Sequence, residues 1–316
     1  LALDLTCRLG DLELSTPLIA ASGCFGYGTE YADLTPLTAF GAVVTKTITP
    51  QPRPGNTLPR IWETAHGGML NSIGLANVGI DRYVVEKLPE LRNYPSKVIV
   101  SVAGNTIAEY AALVAKMEPH SEWHALELNI SCPNVKEGGI SFGVNPKMTE
   151  EVVAACRKET KRHLIAKLTP MAVSLAEIAK ACEAAGADSV SMVNTYVGMA
   201  IDTETRRPKI GTLTGGYSGP PIKPLAIARV WEVFRAVKIP LIGMGGIATA
   251  EDVVEFFLAG SSAVQIGTLI YADPAIPGKI VNGLNAYCER HGISSMKELT
   301  GQLQTDIPLI KQVKCD

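Results

Sequence analysis

What the chain lacks narrows its class before anything it contains. Neither charge is in excess: 29 basic and 31 acidic side chains leave a net charge of −2, so no overall positive field attracts polyphosphate, and nucleic acid is not expected as a main partner. No apolar stretch reaches the ~18 residues of a membrane-spanning helix, because Pro, Gly or a charge interrupts every candidate. No membrane association is expected. Residues 1–8 lack a basic segment followed by an apolar one and do not start with Met, so they read as a trimmed mature start without an export signal. The seven cysteines are odd in number and form no CxxC pair, which argues against a zinc or iron–sulfur cluster on this chain alone and for a reducing cytoplasm. Aromatic residues are 6% of the chain, and Trp62, Trp123 and Trp231 are scattered, so no stacking platform for single-stranded nucleic acid is evident.

What remains is an ordinary globular composition, 47% hydrophobic and 19% charged. Short β-branched runs recur at 17–21, 42–47, 97–102, 125–131, 164–168, 189–194, 240–244 and 263–267. Several are apolar on successive residues, as strands buried on both faces of a parallel sheet must be. Between them lie amphipathic segments at 107–117, 149–161, 174–185, 224–237 and 250–258. Eight strands alternating with helices predict an α/β fold of the (β/α)8 TIM-barrel type, spanning 1–316 as one domain. A doubly wound sheet would more usually have six. Residues 3–14, with a Gly10-Asp11 turn, predict a hairpin across the barrel floor. Two connections, 48–95 and 196–223, are too long for turns. Both follow strands and therefore emerge as insertions at the carboxyl face, where barrel enzymes keep their chemistry.

Glycines follow the seventh and eighth strands, in Gly243-Met-Gly245-Gly246-Ile and Gln265-Ile-Gly267-Thr268. Backbone N–H groups at such turns can hold a phosphate. The first run also matches a loose dinucleotide pattern, but no acid stands about 20 residues on, so a Rossmann reading fails. Cys132 follows the fourth strand in Asn129-Ile-Ser-Cys132-Pro-Asn134. Deprotonated, it is a base over the barrel mouth, with an ordinary pKa near ~8.5. Lys46 and Lys167 close two other strands, and a lysine there implies a compensating anion. A Schiff base at Lys167 is the rival use. Asn71, Asn129, Asn134 and Asn194 are expected at the same rim, where their amides suit a planar heterocycle with carbonyl and N–H edges. The histidines at 66, 120, 124, 163 and 291 form no metal motif or triad and are expected on the surface. No metal site is expected.

These residues together, Asn129-Ile-Ser-Cys-Pro-Asn134-Val-Lys-Glu-Gly-Gly139, Asn71-Ser-Ile-Gly-Leu-Ala-Asn77 and Gly215-Gly-Tyr-Ser-Gly-Pro-Pro-Ile-Lys-Pro224, resemble the dihydroorotate dehydrogenases over nearly the whole chain. Within them the similarity is to the NAD-linked class 1B catalytic subunits, by the 49–63 stretch and the Tyr-Ser-Gly-Pro loop. The resemblance implies an FMN enzyme oxidising dihydroorotate to orotate in pyrimidine synthesis. Cys132 would take a proton from C5 as hydride leaves C6 for flavin N5, with Lys46 facing both flavin and substrate. Asn71, Ile73, Gly74, Leu75, Asn129, Asn134, Asn194 and Thr195 resemble the substrate shell. Ser22, Gly23, Lys46, Thr47, Ser101, Asn129 and Val193 resemble flavin contacts. Lys167 would stabilise negative charge on the flavin, and Gly219, Gly245, Gly246, Gly267 and Thr268 would hold its phosphate.

Class 2 relatives carry Ser at the position of Cys132 and a membrane-binding extension; class 1A, which uses fumarate, shares the Cys. Dihydropyrimidine dehydrogenases share barrel and Cys but usually depart at Asn134. A flavin-free lyase using Lys167 and a silent assembly subunit complete the alternatives. Two departures from class 1B stand out: Ser101 where an Asn is common, and Ala76 where Gln or Pro is usual. Because class 1B enzymes pass electrons through a 2Fe–2S centre and FAD to NAD, and this chain has neither a cysteine cluster nor a dinucleotide fold, the resemblance implies a separate electron-transfer subunit. It implies a heterotetramer built on a homodimer of this chain.

Overall fold

The computed structural model describes residues 4–131 and 142–305. Eight parallel strands close into a barrel: β1 (Leu18–Ala20), β2 (Ala42–Val44), β3 (Lys97–Val102), β4 (Ala125–Asn129), β5 (His163–Lys167), β6 (Ser189–Met192), β7 (Leu241–Met244) and β8 (Ala263–Ile266). Each pairs with its sequence neighbours, and β8 pairs with β1, Gln265 opposite Ile19. Nearly every strand residue is buried, which is why the sequence shows continuous apolar runs rather than alternation.

Six longer helices surround the barrel: α1 (Ile107–Met117), α2 (Pro146–Glu159), α3 (Leu175–Ala184), α4 (Lys223–Phe234), α5 (Ala250–Leu258) and α6 (Ile276–His291). Their starts are set by local chemistry. Thr106, Asn145, Ser174 and Thr249 each accept a backbone N–H three residues on, satisfying a donor the first turn leaves free. Asn145 and Pro146 also explain why α2 begins three residues before the expected 149.

The barrel's lower end is plugged. Cys7–Leu9 and Leu12–Leu14 form the expected antiparallel hairpin, and Gly10, at φ 61°, makes its turn. Leu9, Leu12 and Leu14 pack against Ile19, Val44, Ile99, Ala125, Ile165 and Ile242, an apolar layer that closes the barrel floor. His163, expected on the surface, is buried here. Its Nδ1 lies 2.8 Å from the Asp11 carboxylate and its Nε2 2.9 Å from Ser189 Oγ, so the ring ties the hairpin turn to β5 and β6. The hydrogen bond to His163 leads in holding the Asp11 carboxyl below its ordinary pKa.

At the carboxyl face the two long insertions do not run as separate loops. Ile61–Glu63 and Met69–Asn71 from the first pair with Gly215–Ser218 and Tyr196–Gly198 from the second in one four-stranded antiparallel sheet, Asn71 lying opposite Gly216. A two-stranded ribbon, Ile201–Asp202 with Arg207–Pro208, lies within the second insertion.

Replacing His163 by Ala removes a buried ring and strands the Ser189 hydroxyl. We expect a loss of about 2–4 kcal/mol of stability, read by urea denaturation, with the barrel's circular dichroism retained.

Candidate active site

The carboxyl ends of the strands and the added sheet enclose a cleft with about 1270 Å³ of space, continuous with solvent. Its walls bring together Ser22, Gly23, Lys46, Thr47, Asn71, Ile73, Leu75, Asn129, Lys167, Val193, Asn194, Thr195, Gly219, Gly245, Gly246, Gly267 and Thr268, all named from sequence. Gly74 and Ser101 are not on its surface. Gly74 turns the chain between Ile73 and Leu75 at φ 73°, with Asn56 where a side chain would stand. Ser101 is wholly buried in β3, and its hydroxyl lies 2.9 Å from that of Thr47. It therefore reaches the cleft only through Thr47, which in turn lies 3.2 Å from Ser22 Oγ. Cys132 and Asn134 lie outside the described residues.

Each strand end delivers a different chemistry. Beyond β2, Lys46 is half-buried, and desolvation lowers its pKa. At the end of β4, Asn129 is buried, and its backbone carbonyl accepts the Tyr110 hydroxyl at 2.7 Å. Its Oδ1 accepts Ser131 Oγ at 2.5 Å, and Ser131 Oγ accepts from Asn194 Nδ2. That chain of amide, hydroxyl and amide fixes the segment immediately before Cys132. At the end of β5, Lys167 is 6% exposed. Its Nζ stands 3.7 Å from the buried carboxylate of Glu127.

Opposite these groups the backbone forms a cup. Gly245 and Gly246 have φ of 126° and 78°, and Gly219 has 95°, conformations other residues rarely adopt. A Cβ on Gly246 would lie 2.8 Å from Lys223 N and 2.9 Å from Gly219 O, closing the space between the turn after β7 and the start of α4. Thr268 Oγ1 donates to Ser218 Oγ at 2.8 Å, joining the turn after β8 to the added sheet. Such a glycine-lined turn beside a helix start suits an anion.

The loop 72–78 is pinned by Asn77. Its Oδ1 accepts from Thr49 N and Gly79 N at 3.2 and 2.8 Å, and its Nδ2 donates to Thr49 Oγ1 and to Leu75 O, both at 2.7 Å. Leu75 is thereby held at φ 53°, a left-handed conformation costly for a branched aliphatic residue.

Several lining residues escaped the sequence reading: Cys24, Ser218, Gln265 and Tyr271 among the polar ones. Cys24 is a second thiol at the cleft, but burial pushes its pKa up, so it is held as the neutral thiol. Glu127 was missed as well, though a carboxylate in an otherwise apolar strand is a readable signal. Among the described residues no cluster of three or more His, Cys, Asp or Glu stands ready to hold a metal, and no helix is long and apolar enough to cross a membrane.

The family model for dihydroorotate dehydrogenase matches residues 4–288. A Geotalea uraniireducens protein named dihydroorotate dehydrogenase B (NAD(+)), catalytic subunit, is 50% identical over 302 residues, 96% of this chain and 99% of its own. Proteins of the same name from Pelobacter propionicus and Bacteroides thetaiotaomicron are 49% and 46% identical, each over 95% of this chain and 99% of their own.

Replacing Asn77 by Ala leaves the Thr49 and Gly79 amides without their acceptor. Their hydrogen exchange is expected to accelerate about tenfold or more, for a loss of roughly 1–3 kcal/mol of local stability. Exchange at wild-type rates would mean that the loop is held by something else.

Proposed function

The chain belongs to the dihydroorotate dehydrogenase family, and we propose that it oxidises (S)-dihydroorotate to orotate over an FMN held in the carboxyl-face cleft, with Cys132 as base. As a member of that family it is an oxidoreductase of pyrimidine biosynthesis. The observation that carries the finer reading is the conjunction in one cleft of an anion cup, two lysines and converging amides.

The residues present suit FMN. Gly219, Gly245, Gly246, Gly267 and Thr268 leave room and backbone donors for its phosphate. Gln265, 1% exposed and lining the cleft, has an Oε1 with no partner, an acceptor waiting for a donor. Ser22, Gly23, Thr47 and Val193 border the space for a flat ring, with Ser101 behind Thr47. FMN bound there would supply the acceptor for the hydride at C6 of dihydroorotate.

This chain's own groups do the rest. Asn71, Asn129, Asn134 and Asn194, with Ile73, Leu75 and Thr195, bind the pyrimidine through its carbonyl and N–H edges, and Gly74 shapes the turn that presents Ile73 and Leu75. Lys46 neutralises negative charge on substrate and flavin. Its lowered pKa follows from the burial that also excludes water. Cys132 removes the C5 proton as thiolate. Lys167 places a fixed cation where negative charge develops.

Electrons would then pass to NAD through a partner. The relatives' name, catalytic subunit, supports a second polypeptide, which we propose carries FAD and a 2Fe–2S centre in a heterotetramer around a homodimer of this chain. Five free cysteines among the described residues support a reducing cytoplasm as its setting.

The purified protein is expected to be yellow and to bleach when dihydroorotate is added without air. Cys132→Ala should keep its flavin and slow that bleaching by about 10²–10⁴-fold, the usual worth of a positioned base. An unchanged rate removes Cys132 from the role, and a chain that takes up no FMN removes the whole reading.

A further inference from the structure

Glu127 is the only buried glutamate among the described residues, and the chemistry above leaves it unused. It lies in β4 with no exposed surface, between the apolar floor and the cleft. Burying a carboxylate costs several kcal/mol unless charge and hydrogen bonds compensate it. Two donors converge on one oxygen: Ser191 Oγ from β6 at 2.9 Å and Gln265 Nε2 from β8 at 2.6 Å, both on Oε2. These three side chains come from alternate strands, the arrangement of one interior barrel layer. Among the described residues the other oxygen, Oε1, has no hydrogen-bond partner, and the compensating charge beside it is the Lys167 ammonium at 3.7 Å, inside ion-pair range. Lys167 and Gln265 line the cleft, whereas Glu127 does not.

From this we infer that Glu127 is a positioning residue: from behind, it fixes the Lys167 ammonium at the cleft wall and offsets part of its charge, and so sets how readily the bound flavin takes electrons. The inference rests on the FMN reading above. A bare ammonium would bind the reduced, more negative flavin too tightly relative to the oxidised form, and electrons would be slow to leave. A counter-ion fixed by two donors leaves a fractional positive charge of constant position.

The sign is testable. Glu127→Gln keeps the shape and removes one negative charge beside Lys167. Redox titration of the FMN-loaded protein should show affinity for reduced over oxidised FMN rising at least tenfold, an upward shift of about 30 mV for a two-electron couple. Ser191→Ala leaves every charge in place but strips one donor from the carboxylate, strengthening its hold on Lys167. Its shift should be smaller and downward. A purely structural role would lower the melting temperature of both variants and leave the ratio unmoved. An unmoved ratio, or shifts of the same sign in both, overturns the inference, and Ser191→Ala decides alone if Glu127→Gln does not fold. A wild-type chain that binds no FMN overturns the preceding reading along with this one, whereas wild-type binding with unmoved variants overturns this one only.

Discussion

A lysine ammonium enclosed by a barrel needs negative charge within a few ångströms to offset what leaving water costs it. Lys167 meets that demand with Glu127 on one side, at 3.7 Å, and the open cleft on the other. The levels of the barrel interior follow from it. Leu9, Leu12 and Leu14 seal the lower end, so the carboxylate layer above cannot reach water from below. Ser191 and Gln265 then satisfy one oxygen of Glu127 and leave the other for the lysine. What faces the cleft is a cation whose position the barrel itself fixes.

The second constraint is the pairing of the two insertions. Asn71 lies on a strand between Ile61 and Gly216, so the amide proposed to meet the substrate is carried by a sheet rather than by a free loop. Ser218 in the same sheet accepts from Thr268 after β8. The wall proposed for the pyrimidine and the cup proposed for the phosphate are thus one hydrogen-bonded unit. Preorganisation of this kind lowers the ordering cost of binding at that wall.

Much of this was legible in the sequence. The eight strands announce themselves because burial on both faces demands consecutive apolar residues, and the floor hairpin follows from Gly10-Asp11 between short apolar runs. Helix starts were less legible where the cap lies ahead of the amphipathic pattern, as with Asn145 before α2. The sheet over the mouth was not legible. Its strands are three or four residues long, and the pairing that joins the two insertions, Asn71 with Gly216, crosses more than a hundred positions, so no local periodicity marks them. Of the site, the strand-end residues were found because their chemistry is out of place among apolar neighbours. The same signal stands at Glu127, two residues before the end of β4. His163 was misplaced on the surface for want of any view of Asp11 and Ser189, its partners across the floor. Ser101, a flavin contact by resemblance, stands behind Thr47 with its hydroxyl 2.9 Å from that of Thr47 and is not on the cleft surface.

The cleft is proposed to bind a flavin by its phosphate as well as its ring. Equilibrium titration of the flavin-free protein with FMN and, separately, with riboflavin tests this most directly. We expect FMN to bind at one per chain and riboflavin at least about a hundredfold more weakly, a difference near 2.7 kcal/mol for the phosphate. Equal affinity for the two, or binding of neither, would contradict it.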